Sequence, residues 1–305
     1  MRFRVVLAIA LAAQVAAAQT PEQKAIDYLS TEVPRWSKEN GCFSCHNNGD
    51  GARALYAALQ HGYAVPKPAL ADSTRWLIEP GNWDNNRGNP GFSDKKLARI
   101  QFAAALAQAC DAGAVPGRAA LIDAAQSLIR YQEADGSWLV DVGAVGSPAT
   151  YGTSLATYMA FRTLEKADAA RFAKAIIKTN QWFLVTRPRS LLDAAAALLA
   201  LPRSGAVRQR SLDFILPAQS SDGGWGPYPL APAEPFDTAV VLLALREINE
   251  PERTGGPIAR GRAFLIRRQQ PGGGWPETTR PPGAQSYAQH ISTSGWATLA
   301  LILTR

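Results

Sequence analysis

Histidine and cysteine are scarce in this 305-residue chain, with three of each. A structural zinc site takes four such ligands held together. His46, His61, His290, Cys42, Cys45 and Cys110 are too few and too scattered to suggest one. Charge of one sign never gathers in a block. The formal excess of +7 is spread over arginines on amphipathic segments, which reads as a solvated face and not as a nucleic-acid footprint. Long apolar runs are missing after residue 18, so no membrane span is expected beyond it. Neither a phosphate loop nor a Ser-His-Asp pattern is recognisable.

The first eighteen residues form a different kind of segment. A short basic start, MRFR, leads into VVLAIALAAQVA and then Ala16-Ala17-Ala18. That order is the pattern of a cleavable export signal, and the apolar run is short for a stable anchor. Residues 1–18 are therefore expected to be a signal peptide. The mature chain, at +5 after loss of Arg2 and Arg4, is expected to be periplasmic or secreted, in an oxidising compartment.

What the chain does have is a repeat. Gln132, Gly136 and Trp138 recur at the same spacing as Gln219, Gly223 and Trp225, and again as Gln269, Gly273 and Trp275. Each set follows an amphipathic helix ending (SLIRYQ, FILPAQ, FLIRRQ). Each precedes a crossing and then a segment that is apolar on nearly every face: TSLATYMAFRTL, FDTAVVLLAL and TSGWATLALILT. An all-round apolar helix is buried, and an amphipathic one covers it. The repeating unit is thus an outer helix, a Gln/Gly/Trp turn, a crossing and an inner helix. Asp237 or Thr238 just ahead of AVVLLAL reads as a helix N-cap.

Phased on that unit, residues 19–305 divide into six outer and six inner helices. Pro34 is expected to interrupt or end the first outer helix. Inner helices are expected to start near 51, 95, 150, 190, 236 and 293. The terminal inner helices are as apolar as the middle ones, so neither end offers a polar cap for an open solenoid. The chain is therefore expected to be all-α, a single α6/α6 toroid of alternating outer and inner helices.

The Gln-x-x-x-Gly-x-Trp turns and the T-A-rich buried helices resemble the squalene–hopene cyclase and prenyltransferase repeat family, well from about 118 onward and by helix pattern alone before that. The resemblance implies an α/α toroid around an apolar cavity. Cyclases of that family carry a second toroid and a D-x-D-D-T-A motif whose middle aspartate protonates the polyene. The aligned residues here are Glu234-Pro235-Phe236-Asp237-Thr238-Ala239, so phenylalanine stands where the resemblance places the acid. Ordinary polyene cyclisation is not expected. The resemblance also implies a zinc possibility, since His290 matches the position of a prenyltransferase histidine. Asp237, however, has no cysteine near it, and Cys110 lies in another repeat, where a buried free thiol is the plainer reading.

The sharpest chemical motif is Cys42-Phe43-Ser44-Cys45-His46. C-x-x-C-H is the attachment signature of haem c: two thioethers to the vinyl groups and the histidine nitrogen on the iron. Its alternatives are a local disulfide or a chance match. If the ring closes, inner helices one and six become neighbours. His46 and His290, each expected just before one of those helices, then share a rim. His290 would be a distal ligand or polar neighbour, whereas His61 lies at the far end of its helix. Glu234 and Asp237 form a candidate acid/base pair at the cavity mouth. Tyr151, Tyr158, Met159, Phe236 and Trp296 are candidates to line the central space.

Three functions follow as expectations. The first is an exported, cyclase-like toroid carrying covalent haem, acting in electron transfer with a redox partner or on an apolar, isoprenoid-like ligand. The second is a non-catalytic module for an apolar small molecule. The third is a divergent cyclase or lyase using Glu234 or Asp237.

Overall fold

A computed structural model describes residues 19–86, 95–140, 151–277 and 286–305. The expected signal peptide and part of the crossing placed at 82–94 lie outside the described residues. Those that are described contain helices and turns but no strand. In chain order the helices are α1 (Pro21–Asn40), α2 (Ala52–Gln60), α3 (Lys67–Leu77), α4 (Lys95–Asp111), α5 (Ala119–Ile129), α6 (Gly152–Asp168), α7 (Ala173–Val185), α8 (Leu191–Ala200), α9 (Gly205–Ile215), α10 (Pro235–Arg246), α11 (Pro251–Arg268) and α12 (Tyr287–Leu303). Odd-numbered helices are outer and even-numbered ones inner. Each inner helix packs on the next, and α12 packs back on α2. The chain is an α/α toroid.

Composition explains the division. Every residue of α10 from Pro235 to Leu245 is buried, and α8 is buried along almost its whole length. In α11 only Thr254, Gly261, Phe264 and Leu265 are, leaving its arginines for solvent. Side-chain oxygens start several helices by accepting backbone N–H bonds: Thr20 for α1, Ser190 for α8 and Ser286 for α12.

Three expectations need correction. Pro34 lies inside a continuous α1, where the side-chain amides of Asn47 and Asn48 donate to the Glu32 and Val33 carbonyls and tie that stretch to the ring. α12 begins at Tyr287, six residues before the apolar run, because the Ser286 hydroxyl caps it. His290 is consequently inside the helix and not ahead of it. Asp237 is not an N-cap: Glu234 occupies that position and Asp237 is the third helical residue, wholly buried.

The repeat turn is a hydrogen-bonded clamp. In all three copies the glutamine Nε2 donates to the carbonyl of its own turn glycine and to a carbonyl of the next outer helix. The far acceptors are Ala175 in α7 (3.0 Å), Pro257 in α11 (2.9 Å) and, for Gln269, Pro21 in α1 (2.9 Å). The tryptophan Nε1 donates back to its own outer helix, at Leu128, Ile215 and Leu265. Its backbone N–H donates to a hydroxyl of the following inner helix, from Thr157, Thr238 or Ser294. Each turn therefore ties three helices. The third copy closes the ring, because the next outer helix after α11 is α1. Gly273 (φ 102°) shows why glycine is required: a Cβ there would lie 2.4 Å from the Lys24 carbonyl oxygen.

Two polar links complete the closure. Arg262 Nη2 bonds Glu22 Oε1 at 2.8 Å. Tyr287 donates its hydroxyl to Glu32 (2.7 Å) and accepts from Asn47 Nδ2 (2.8 Å). At Gly295, α12 comes so near that a Cβ would meet the Asp50 carbonyl oxygen at 2.8 Å.

Candidate functional site

A π-helical turn, Cys45–Gly51, leads into α2 and carries Asp50 toward the ring axis. Asp50 is 1% exposed. Its carboxyl is held from two other inner elements: Tyr151, just ahead of α6, donates to Oδ1 at 2.5 Å, and Gln101 Nε2 of α4 donates to Oδ2 at 2.8 Å. The Ser292 hydroxyl of α12 also lies close enough to favour the charged form, although no hydrogen bond fixes its oxygen. Loss of solvent dominates and raises the Asp50 pKa against these donors and the nearby Arg53 charge. Burial likewise pushes the Tyr151 phenol well above its ordinary value, so it stays protonated.

An aromatic group surrounds this carboxyl. Trp296 Nε1 donates to the Tyr151 hydroxyl at 3.0 Å. The rings of Tyr151, Phe236 and Trp296 lie about 6 Å apart pairwise, at 6.0, 6.0 and 5.9 Å between centroids. Trp296 and Arg53 then face a central cavity of about 400 Å³. Tyr158, Met159, Leu199, Leu243 and Leu299 line its walls, and His61 lies near its mouth. A polar cluster thus closes the N-terminal end of the inner helices, and the cavity opens toward their C-terminal ends.

Of the residues expected to line the central space, Tyr158, Met159 and Trp296 do so, while Tyr151 and Phe236 are buried beneath it. Glu234 and Asp237 do not line the cavity. Glu234 is half-buried, with its backbone N–H on the Trp225 carbonyl. Asp50 is the site residue that the sequence reasoning above misses. The signal that marks it is its phase: like Asp237, it is an acid at the N-terminal end of an inner helix.

Cys42 and Cys45 are not joined in a disulfide. His46 is 8% exposed, and desolvation lowers its pKa to about 3, so the imidazole is neutral. Both ring nitrogens lack a hydrogen-bond partner. The ring packs edge-on against Trp36 (5.1 Å between centroids) and Tyr287 (5.7 Å). α12 does come to the His46 segment, but the residue it presents is Tyr287. His290, one turn on, packs against Tyr28 and faces Glu277 Oε2 at 3.5 Å. Among the described residues no group of three or more His, Cys, Asp or Glu is arranged to hold a metal ion, and no helix is long and apolar enough to cross a membrane.

With 12% identity and a TM-score of 0.58, the structure aligns over 92% of this chain and 98% of the type II terpene cyclase MstE from Scytonema. The fold is that of type II terpene cyclases. The structure also aligns with ent-copalyl diphosphate synthase from Streptomyces platensis (20% identity, TM-score 0.55, 84% of this chain and 50% of that one). A protein from Actinoplanes aligns equally well (15% identity, TM-score 0.60, 92% and 98%). In sequence, drimenyl diphosphate synthase from Streptomyces showdoensis is 39% identical over 67 residues, and that from Streptantibioticus cattleyicolor 34% over 95. These matches take in 22% and 28% of this chain but only 12% and 17% of the curated relatives' length. No family model matches the chain. A further MstE structure, of a variant, holds geranylgeranyl dihydroxybenzoate as substrate (TM-score 0.59, 12% identity).

Proposed function

We propose that this toroid is a divergent terpenoid cyclase-like enzyme that takes an apolar, isoprenoid-like molecule into its central cavity and uses Asp50 as its acid. The observation carrying the reading is the Asp50 carboxyl: buried, with a raised pKa, held by Tyr151 and Gln101, and lying behind the Arg53 and Trp296 side chains that line the cavity. Burial favours the protonated form, and a carboxylic acid kept protonated by its surroundings can deliver a proton. The Tyr151 and Gln101 donors then stabilise the carboxylate left behind. Phe236, at the position where the family resemblance places the acid, packs on Tyr151 in the same group. The acid has thus moved from α10 to the approach to α2, and Glu234 and Asp237 give up the role proposed for them. The test is incubation of the purified chain with farnesyl and geranylgeranyl substrates, with products read by mass spectrometry. Product from the native chain and none from Asp50→Asn supports the reading; equal product from both overturns it. Binding without turnover would make the toroid a carrier of apolar molecules.

A second reading rests on His46, which follows two cysteines that form no disulfide and whose two nitrogens are buried without partners. The donors suit a covalent haem c on Cys42 and Cys45 with His46 as the iron ligand, in an exported protein with a redox partner. The packing does not: Trp36 and Tyr287 must swing off the imidazole to admit the macrocycle. His290, engaged with Glu277 and Tyr28, is the weaker choice for the opposite ligand. A pyridine haemochrome spectrum of protein matured with haem-attachment machinery decides the matter, and its absence removes haem, redox partner and His46 ligation together.

A further inference from the structure

Arg53 is the second residue of α2 and 8% exposed. Its Nε and Nη2 are buried and have no hydrogen-bond partner. The guanidinium carbon lies 3.9 Å above the Trp296 ring, and both side chains line the cavity. A cation taken out of water without an anion is costly, and stacking on an indole offsets only part of that.

The other cations around the cavity are provided for. Lys166 bonds Asp111 at 2.6 Å, Arg162 bonds Glu165 at 2.6 Å, and Arg246 faces Glu247 at 3.4 Å. Asp50 does not serve Arg53 in this way, since its oxygens are taken by Tyr151 and Gln101. Among the described residues, no carboxylate forms an ion pair with Arg53. It also lies deep: eight residues of α2 separate it from His61 near the mouth, roughly 12 Å at 1.5 Å per residue. The walls between carry Met159, Leu199, Leu243 and Leu299 on one hand and polar side chains such as Gln108 and Thr163 on the other.

We propose that Arg53 binds an anionic head group, a carboxylate or a phosphate, so that the ligand enters head first with its apolar tail toward the mouth. A guanidinium whose Nε and Nη2 donors are both free presents one edge that suits paired oxygens of either kind. The head would then lie beside Asp50, and the tail among the leucines and Met159. The inference takes the apolar tail from the function proposed above, but the anion site stands on Arg53 itself.

The experiment compares three probes of matched tail on the purified chain by calorimetry: farnesol, farnesoic acid and farnesyl diphosphate. At least one anionic probe is expected to bind tenfold or more tighter than farnesol, and which one tells carboxylate from phosphate. Arg53→Gln should erase that preference while leaving farnesol affinity within about threefold; Arg246→Gln at the rim should keep it. Arg53→Met, which retains the stem over Trp296, serves if the glutamine variant does not fold. Equal binding of farnesol and both anions by the native chain overturns the proposal, as does a preference that survives loss of Arg53 or vanishes with Arg246. Asp50→Asn separates the two ideas: anion preference in the native chain together with equal product from the native chain and Asp50→Asn sinks the acid and leaves the anion site standing.

Discussion

Tyr151 donates its hydroxyl to Asp50 at 2.5 Å across 101 residues of sequence, and accepts from Trp296 across 145 more. One phenol therefore joins the approaches to α2 and α6 with the middle of α12. Tyr151→Phe removes it at almost constant volume. Asp50 loses a donor and the Trp296 Nε1 loses its acceptor, each in a dry site. The expected loss is about 1–3 kcal/mol for each group left unpaired, measurable by urea unfolding; an unchanged midpoint would show that water replaces the hydroxyl.

Asp50 also sets a pH dependence. Its folded pKa is raised, so the folded chain holds this proton more tightly than the unfolded chain. Its contribution is fully present below the unfolded value of about 4 and is lost as pH rises through the folded pKa. Asp50→Asn cannot ionise. Its amide can meet Gln101 Oε1, which now lacks a partner, if the Gln101 amide turns over. Thermal melts from pH 4 to 9 should show the variant gaining on the native chain as pH rises. Parallel curves would mean that Asp50 keeps an ordinary pKa.

The closure clamp can be tested with neighbouring glycines. Gly273→Ala places a methyl 2.4 Å from the Lys24 carbonyl oxygen at a φ of 102°, whereas a Cβ at Gly272 meets nothing within 4 Å. The first substitution should cost at least about 2 kcal/mol, and the second should stay within about 0.5 kcal/mol. Hydrogen exchange should localise the Gly273→Ala effect to α1 and α11. Equal melting temperatures for the two variants would refute the clamp.

Trp225→Ala tests whether the repeat turns hold the fold. The indole is fully buried, with Nε1 on the Ile215 carbonyl at 2.9 Å. A loss of roughly 3–5 kcal/mol is expected from deleting so large a buried aromatic, read by chemical denaturation. Native stability with altered ligand binding would instead make Trp225 part of the site.

The sequence alone determined the ring. Glutamine, glycine and tryptophan at fixed offsets specify a local turn, and the contrast between all-round apolar and amphipathic helices says which of each pair is inside. Both signals are short-range, so they survive in one dimension. The starts of α2, α4, α6, α8 and α10 fall within two residues of the phased expectation for that reason. α12 starts early because a single hydroxyl, Ser286, outweighed the apolar pattern. The site had no such local signature. Asp50, Gln101, Tyr151 and Trp296 are separated by dozens of residues, and none is unusual in its own segment. Closure of the ring brings them to one axis, and the absence of water there raises the pKa of an otherwise ordinary aspartate. The Arg53 charge is likewise unremarkable on a short helix. Only the packed ring takes it out of solvent, stacks it on Trp296 and leaves it without an anion.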